Sequence, residues 1–480
     1  MLTLINSNRM LPPIAPVGLD YVGEAVRRAG VETELVDLCL ADDPDALLSR
    51  HFAESRPELV AISLRNIDDC FWPGVAWFVP GLEGLVRQVR AATNAPVVLG
   101  GVGFSIFAER IVARTGADFG IRGDGEGALV ALIAELRGGR RFDRVEGLVW
   151  REDGRVRANR PAWPQRLGVP TARHLVDNAA YFRLGGQIGL ETKRGCSRGC
   201  SYCADPLAKG PIERLRAPAE VADEVASLLA PGIDVLHLCD SEFNLPACHA
   251  REVCDEFVRR GFGARLRWYA YLAATPFDAD LARRMRQAGC VGINFTSDSA
   301  SPALLAVYGQ THRKEDLAEA VRLCRAYGIA VMLDLLLGGP GETPASVAET
   351  IRFVRQIAPD CAGAALGVRI YPGTAIHARI AAEGPLETNP AIHRRYPGPV
   401  DLLRPTFYVS PALGDQPARL VREAIGGDPR FFEPGDAAPA GERGDAAADY
   451  NYNENRVLCD AIARGARGAY WDILRRLRTG

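Results

Sequence analysis

The sequence has no excess of charge of either sign, no long apolar run and very little lysine. The formal net charge of the 480-residue chain is −2, which excludes the basic field typical of nucleic-acid-binding proteins. No window approaches the roughly 20 apolar residues needed to cross a bilayer, and residues 1–6 lack the charged and apolar regions of a signal peptide. Of the 57 cationic residues only Lys193, Lys209 and Lys314 are lysines, a bias that predicts no function. We expect a cytoplasmic globular protein with no affinity for membranes or nucleic acid.

Three of the 12 cysteines stand in one short run with the spacing C-x3-C-x2-C, Cys196, Cys200 and Cys203. Three thiolates this close can hold three corners of a cubane iron–sulfur cluster and leave the fourth iron open. An open coordination position is where metal centres usually perform chemistry. The alternatives are a zinc knuckle or three unrelated buried thiols, but no second C-x2-C pair or nearby Cys/His partner completes a zinc site. We predict a 4Fe-4S cluster with these cysteines as metal ligands and catalytic centre.

The other nine cysteines are scattered, and a reducing cytosol would leave them as small buried thiols. Cys239, Cys248 and Cys254 are near enough in sequence to suggest a second cluster. Their wide, uneven spacing argues against one.

Residues 1–140 alternate short apolar runs with helical patterns, as expected of parallel βαβ units in a doubly wound sheet. The predicted strands are 2–5, 34–38, 59–64, 96–99 and 117–121, and the clearest helices are 16–29 and 79–92. Glycine-rich loops follow several of these strands, at the edge where such sheets bind ligands. They do not form G-x-G-x-x-G in the required context, so a nicotinamide-binding domain is not supported.

Residues 141–185 form a Pro- and Arg-rich stretch that we expect to be a linker. In residues 186–380 the strand–helix alternation resumes and predicts a partial (β/α)6 barrel with its active site at the carboxyl ends of the strands. Its predicted strands are 187–191, 235–239, 267–271, 292–296, 330–336 and 364–370. Residues 381–480 have poor periodicity, and we expect a mostly irregular or helical lid or substrate region that ends in a helix at 470–477.

Several segments, in this order and placed around the cysteine run, carry a family resemblance. They are PPIAPVGLDY (12–21), LVAISLRN (59–66), VLGG (98–101), ADFGIRGDGE (117–126), CDSEFN (239–244) and LGGPGET (337–343). The chain resembles the cobalamin-binding (B12-dependent) radical S-adenosylmethionine (SAM) enzymes over residues 1–380. This implies an N-terminal Rossmann-like cobalamin-binding domain, then a radical SAM barrel. It also implies that SAM chelates the open iron and is cleaved there to a 5′-deoxyadenosyl radical.

The resemblance implies cobalamin contacts from the strand-end loops of the first domain. These residues are Ser63, Leu64, Arg65, Asn66, Gly100, Gly101, Gly123, Gly125 and Glu126. No D-x-H-x-x-G motif is present, and the only histidine before His174 is His51, within a predicted helix. We therefore expect that no histidine contacts the cobalt and that Arg65 and Asn66 face the corrin ring. The alternatives are a salt bridge from Arg65 to Asp68 or Asp69, and a domain that has lost cobalamin.

In the barrel the resemblance implies SAM contacts at five positions along the chain. The candidates are Tyr202 near the adenine, Ser241 and Glu242 for the ammonium group, Asp298 and Ser299 for the ribose or carboxylate, Gly338, Gly339, Pro340 and Gly341 at the adenine, and Arg369 for the carboxylate. Alternatives are core packing for Tyr202, an exposed turn at Ser241 and Glu242, and an ion pair that closes the barrel for Arg369. Asp298 stands where the family often has glutamate.

The implied function is enzymatic: methylation of an unactivated carbon of a natural-product intermediate through methylcobalamin and a second molecule of SAM. The alternatives are radical cyclisation or ring rearrangement without methyl transfer, and a non-enzymatic cobalamin or redox sensor. The implied partners are a small-molecule substrate, with a peptide as the alternative, and an electron donor such as flavodoxin or ferredoxin. Five residues could reach the substrate, although packing roles are the simpler interpretation: Tyr269, Tyr271, Tyr308, His312 and Asp334.

Overall fold

The computed structural model of the chain describes residues 1–169, 171–435 and 449–479, with only the backbone at 479. Its strands are β1 Leu2–Asn6, β2 Thr33–Asp37, β3 Leu59–Ser63, β4 Val97–Gly100, β5 Phe119–Ile121, β6 Leu148–Glu152, β7 Arg155–Ala158, β8 Ile188–Leu190, β9 Lys193–Arg194, β10 Arg214–Leu215, β11 Val235–Leu238, β12 Arg267–Leu272, β13 Cys290–Asp298, β14 Ala330–Leu337, β15 Cys361–Leu366, β16 Val368–Arg369, β17 Ile392–Arg394, β18 Thr406–Tyr408 and β19 Phe431–Phe432.

Its α-helices are α1 Val17–Arg28, α2 Pro44–Glu54, α3 Val79–Ala92, α4 Val102–Ile106, α5 Ala108–Thr115, α6 Gly125–Arg137, α7 Asn178–Gly185, α8 Asp205–Lys209, α9 Pro218–Leu229, α10 Ala247–Arg259, α11 Ala279–Gln287, α12 Pro302–Tyr308, α13 Lys314–Tyr327, α14 Pro344–Ile357, α15 Ala375–Ala382, α16 Pro417–Ile425, α17 Arg456–Ala463 and α18 Tyr470–Thr479. Many boundaries follow sequence signals. Asp43 caps α2 by accepting from the Ala46 amide, and Thr343 caps α14 with Pro344 at its first position.

The first sheet has the order β2-β1-β3-β4-β5-β6-β7, and its first five strands are parallel. Alternate residues of β3 enter two different cores. Leu59 and Ala61 pack with α1 and α6, whereas Val60 and Ile62 pack with α2, α3 and α5. Helices therefore cover both faces, and the predicted doubly wound domain is confirmed.

The structure differs from the expected linker at its beginning. Strands β6 and β7 form an antiparallel hairpin that extends the first sheet to Ala158. The missed signal is Asp153-Gly154, in which both residues have positive φ, as a two-residue hairpin turn requires. Helix α7 lies near the end of the same stretch, so less of it is irregular than the composition indicates.

The second sheet has the order β19-β15-β14-β13-β12-β11-β8 and is parallel throughout. Six of its strands overlap the six predicted ones, and the partial barrel is confirmed. Strand β19 adds a seventh at the edge, where Phe431 and Phe432 give a run too short to recognise. In the described residues β8 and β19 do not pair, so the sheet stays open.

The inner face of this sheet is closed at its amino end by the C-terminal helices. Side chains of α17 and α18, among them Leu458 and Trp471, pack against Val235, Tyr269 and Met332 of the strands. The C-terminal region is therefore more ordered than expected, and its strands β17 and β18 form a small antiparallel sheet with β16. The part of the expected lid at 436–448 lies outside the described residues.

None of the helices in the described ranges is long and apolar enough to cross a membrane.

Two buried arginines, Arg173 and Arg369, and the partly buried Arg194 join the two sheets at the edges where their strands end. In each case the cation belongs to the linker or barrel and the carboxylate to the first domain. Arg173 pairs with Asp20 at 2.8 Å, Arg194 with Glu126 at 2.9 Å, and Arg369 with Asp68 at 2.9 Å. Removing one partner from a buried pair leaves an uncompensated charge, so these contacts fix how the two sheets face each other.

Arg173 has the densest set of partners. Its guanidinium also donates to Asn178 Oδ1 at 2.8 Å and to the Gly189 carbonyl at 2.7 Å. The same network includes Glu224 of α9, which pairs with Arg216 at 2.7 Å.

We predict that Arg173→Met lowers the free energy of unfolding by about 3–5 kcal/mol, because Asp20 would keep a buried charge without its cation. The matched control is Arg419→Met, which breaks an exposed pair with Glu423 and should change stability by no more than about 0.5 kcal/mol. Urea unfolding of both variants measures the difference. Equal small losses would show that Arg173 does not hold the interface.

Candidate cofactor-binding and active site

The cysteine loop leaves the β9–β10 hairpin and is held on both sides. A Cβ at Gly195, which has φ of +94°, would clash with the Ile212 carbonyl, so only glycine fits there. The Cys196 amide donates to the Gly210 carbonyl at 3.0 Å, and the Ser201 amide donates to the Tyr308 carbonyl at 2.8 Å. The loop is thereby pinned between the hairpin and the end of α12.

The three thiols lie close enough together for Cys196 and Cys200 to act on the pKa of Cys203. Burial raises the pKa of Cys200 to about 11 and raises the pKa of Cys203, which is raised further by Asp205 and by the other two thiols. They are therefore protonated at neutral pH until a metal binds, since a bound metal deprotonates its thiol ligands. Within the described ranges no three metal-binding side chains converge on a single ion. A cubane cluster needs no such convergence, because each cysteine ligates a different iron, and the three thiols fit that group.

Glu242 lies behind the cysteine loop with one oxygen unused. The Thr296 hydroxyl donates to its Oε1 at 2.8 Å, while its buried Oε2 has no hydrogen-bond partner among the described residues. Burial raises the pKa of Glu242 to about 7. The alternative of an exposed turn does not hold, because Asp240 and Glu242 are buried, and Glu242 has room for a donor or cation that the described residues do not supply.

Ser241 points elsewhere. Its hydroxyl donates to Asp205 Oδ2 at 2.6 Å, and Lys209 pairs with the same carboxylate at 2.8 Å. The two neighbouring candidates therefore have different surroundings: Ser241 is engaged with α8, and Glu242 is free at one oxygen.

Tyr202 and Asp298 are brought together beside the cysteines. The Tyr202 hydroxyl donates to Asp298 Oδ2 at 2.8 Å, and Gln310 Nε2 donates to the same oxygen at 2.5 Å. Burial raises the pKa of Asp298 to about 6. Ser299, in contrast, is turned into the fold, with its hydroxyl 3.0 Å from Thr350 Oγ1.

The glycine-rich turn after β14 packs on the helix that supports the cysteine loop. A Cβ at Gly339 would clash with the Tyr308 hydroxyl, to which the Gly339 amide donates at 3.2 Å. Gly338 and Gly341 have positive φ, and a Cβ at Gly341 would meet nothing within 4 Å. Gly338, Gly339 and Pro340 are buried, and only Gly341 at the end of the turn is exposed.

Arg369 is fully engaged within the protein. Besides the Asp68 pair it donates to the carbonyls of Ile370 at 2.7 Å and Leu402 at 2.9 Å, and its guanidinium lies 4.7 Å from the centre of the Tyr371 ring. The predicted alternative, an ion pair, is what the structure has, although the partner belongs to the first domain. The expected contact with a SAM carboxylate is not supported.

A cavity of about 160 Å³ opens at the carboxyl edge of the first sheet. Six predicted cobalamin residues line it: Ser63, Gly100, Gly101, Gly123, Gly125 and Glu126. Side chains at Gly18 or Gly100 would project into open space, whereas one at Gly101 would meet the Leu64 carbonyl. The described lining contains no histidine. A narrow cavity kept open by glycines fits an inserted cofactor tail without an axial histidine.

The remaining predicted residues, Leu64, Arg65 and Asn66, line a separate cavity of about 570 Å³ between α2, α3 and the loop after β1. Arg65 Nη1 is buried and has no hydrogen-bond partner in the described part of the chain. Asp68 pairs with Arg369 instead, and Asp69 accepts from Asn451 Nδ2 at 2.9 Å. The alternative salt bridge of Arg65 is therefore not formed.

A polar layer crosses the inner face of the barrel below the cysteine loop, and we call it the inner polar layer. It consists of His237, Tyr271, Asn294 and Asp334, one from each of four adjacent strands, with Tyr450 from the C-terminal region. Tyr450 donates to Asp334 Oδ1 at 2.7 Å, and Asn294 Oδ1 and His237 Nδ1 are buried without partners among the described residues. Burial raises the pKa of Asp334 to about 6.

Only Tyr271 and Asp334 of the five expected substrate-reaching residues belong to this layer. Tyr269 donates to Asp472 at 2.8 Å, Tyr308 donates to the Leu336 carbonyl at 2.9 Å, and His312 Nε2 lies 3.3 Å from the Ser297 carbonyl. His237, Asn294 and Tyr450 were not predicted. His237 and Asn294 are polar residues two positions from core residues in otherwise apolar strands, and this pattern could have identified them. The sequence around Tyr450 contains no such signal.

Comparison with known proteins assigns the same two parts of the chain. Residues 9–133 match the B12 binding domain, and residues 190–354 match the Radical SAM superfamily. The tryptophan 2-C-methyltransferase of Streptomyces laurentii is 29% identical over 98% of this chain and 94% of its own.

Solved structures agree. The radical SAM methyltransferase TsrM from Kitasatospora setae, with tryptophan and the SAM analogue aza-SAM bound, has 31% identity and a TM-score of 0.90 over 100% of this chain and 98% of its own. A structure of the same protein with cobalamin and a 4Fe-4S cluster bound has 29% identity and a TM-score of 0.89 over 100% and 97%.

We predict that Glu242→Gln stabilises the cluster-free protein more at pH 8 than at pH 5. Between about 4.5 and 7 the folded protein keeps a proton on Glu242 that the unfolded chain has lost, so wild-type stability falls as pH rises through this window. The amide removes that loss, and the gain should reach about 2–3 kcal/mol at most. Urea unfolding at both pH values measures it, with the exposed Glu252→Gln as control. An equal effect at both pH values would contradict the prediction.

Proposed function

This chain belongs to the cobalamin-dependent radical SAM methyltransferases, and we propose that it methylates a carbon of a small aromatic amino acid or of a natural-product intermediate derived from one. The observation that carries the proposal is the inner polar layer, in which aromatic rings and unused acceptors lie together below the cysteine loop. Similarity to a tryptophan methyltransferase over nearly the whole chain supports the same substrate class.

The residues around the thiols fit the cofactors of the family, a 4Fe-4S cluster, SAM and cobalamin. When bound, these groups supply electron transfer to SAM and transfer of its methyl group. Cys196, Cys200 and Cys203 hold the cluster, and the electron comes from an external donor such as flavodoxin or ferredoxin in the cytoplasm.

Three side chains and one turn are assigned to SAM. Glu242 accepts the SAM ammonium at its free Oε2, because a buried carboxylate with an empty acceptor position favours a cation. Tyr202 and Asp298, joined by their hydrogen bond, offer a carboxylate to the ribose hydroxyls. The backbone of Gly338–Gly341 lies against the adenine. Arg369 is assigned to the domain interface instead.

Cobalamin is assigned to the cavity at the edge of the first sheet. Gly18 and Gly100 leave the width that a planar base needs, and Ser63 with the Gly123–Glu126 loop lies around it. Arg65, with its unpaired Nη1, faces the corrin from the loop after β3. An arginine cannot ligate a metal while it keeps its proton, so Arg65 would not act as a ligand to a bound cobalt.

The substrate is assigned to the inner polar layer. Asp334, with a pKa raised to about 6, is ionised at neutral pH, and together with Asn294 Oδ1 it offers two acceptors to an α-ammonium group. The rings of His237 and Tyr271, 5.2 Å apart and edge to face, offer an aromatic wall to the side chain. A site with both features selects an aromatic amine over an apolar ring.

We predict that the reconstituted holoenzyme, given SAM, a reductant and L-tryptophan, forms a product heavier by one methylene, because the inner polar layer holds the ammonium and the ring. Mass spectrometry of anaerobic reactions measures it, with enzyme lacking cobalamin as the control. If SAM is consumed and the product has the mass of the substrate, the reaction is a rearrangement and the proposed methylation is wrong.

We predict that Asp334→Asn raises KM for L-tryptophan about tenfold or more with a smaller change in kcat, since it removes a charge that contacts only the ammonium. In the wild-type enzyme KM should rise as pH falls below about 6, where Asp334 gains a proton. Steady-state kinetics of the variant and of the exposed control Asp223→Asn measure this. Unchanged discrimination between L-tryptophan and indole-3-propionate would exclude Asp334 from ammonium recognition.

A further inference from the structure

Lys193 is a buried ammonium group without a partner. Its side chain is almost completely buried, and Nζ has no hydrogen-bond partner in the residues that the structure describes. The other two lysines of the chain are paired, Lys209 with Asp205 at 2.8 Å and Lys314 with Glu349 at 3.5 Å. A buried cation that lacks an anion is strongly unfavourable, so its position calls for a group that binds there.

The backbone at Lys193 is fixed. Lys193 pairs with Leu215 in the β9–β10 hairpin, and its amide donates to Asp240 Oδ1 at 3.3 Å. The preceding Thr192 amide donates to the same oxygen at 2.8 Å. Successive side chains of a strand point to opposite sides. Arg194 reaches the carboxylates beside the cobalamin cavity, and Lys193 therefore points to the other side, under the cysteine loop.

The surroundings of Lys193 are anionic, but each nearby carboxylate is already engaged or lies beyond hydrogen-bond distance. Its charge acts on Cys196, Glu242, Asp205 and Glu213. Asp205 accepts from Ser241 and Lys209, and Glu213 accepts from the Ser197 amide at 2.8 Å. Glu242 is the remaining acceptor, with its unpaired Oε2.

We infer that Lys193 is the internal counter-ion of the cluster and sets its reduction potential from the Cys196 side. Three thiolates outweigh the positive charge of the oxidised cubane core, so the bound assembly is anionic, and reduction adds one more electron. A fixed ammonium beside it stabilises the reduced form more than the oxidised form, and net charge is one of the properties that set cluster potentials. The inference rests on the cluster alone and does not require the proposed substrate.

The test is an EPR-monitored redox titration of the reconstituted holoenzyme, without SAM and then with SAM. Lys193→Met keeps the length of the side chain and removes its charge. We expect its reduction equilibrium to shift about tenfold toward the oxidised cluster, which for one electron is about 59 mV. Lys193→Arg should remain nearer to wild type, and the exposed Lys314→Met should not differ from it.

The titration also distinguishes the two anions that could face Lys193. A shift without SAM supports the cluster as its partner. A shift only with SAM assigns Lys193 to the SAM carboxylate and overturns the inference, as does an unchanged potential in a fully loaded variant.

Thermal unfolding with and without the cluster is the second measurement, to be used if a variant binds the cluster poorly. In the counter-ion role Lys193→Met raises Tm of the cluster-free protein and reduces the Tm gain on reconstitution. A lower Tm of the cluster-free variant would instead show a structural role. Because none of these measurements uses substrate, failure of the methylation assay leaves the result intact.

Discussion

The arrangement of the whole molecule depends on buried arginine–carboxylate pairs between its two sheets. Arg173, Arg194 and Arg369 each reach from the linker or the barrel to a carboxylate of the first domain. The pairs lie where the strands of both sheets end, so the cavity at the edge of the first sheet and the cysteine loop meet across the same interface. Arg194 in particular is two residues from Cys196 and pairs with Glu126, which lines the cavity. A displacement of one domain would leave charges buried and uncompensated.

The interior of the site has the opposite property, because its charges are incompletely paired. Burial raises the pKa of Glu242, Asp298 and Asp334 above the usual range of a carboxyl group. Perturbed carboxylates cluster at functional sites more often than in structural networks. Among the described residues, Arg173, Arg194 and Arg369 have no buried nitrogen without a hydrogen-bond partner, whereas Glu242 Oε2 and Asn294 Oδ1 lack one. This contrast distinguishes the three arginines of the interface from the polar residues inside the barrel.

The sequence predicts local features well and distant partners poorly. Apolar runs located the parallel strands because a strand buried on both faces must be apolar throughout. The hairpin β6–β7 was missed although Asp153-Gly154 signals it, because its outer strand is polar. Arg369 was located correctly, but its partner Asp68 is 301 residues away, and no local pattern contains that pairing. The contact between Tyr450 and Asp334 could not be predicted for the same reason, because it forms only when the C-terminal helices pack against the inner face of the sheet.

The choice of lysine at position 193 follows from the same contrast. Almost every cationic residue in this chain is arginine. In the interface pairs the guanidinium group donates to several acceptors at once, as at Arg173. A guanidinium has five donors, all of which need partners when buried. The volume under Cys196 offers no such set, since Asp205 and Glu213 are engaged by other donors and only Glu242 keeps a free oxygen. A compact ammonium group leaves fewer donors unsatisfied there. Its positive charge is also localised, so it can lie close to an anionic cluster.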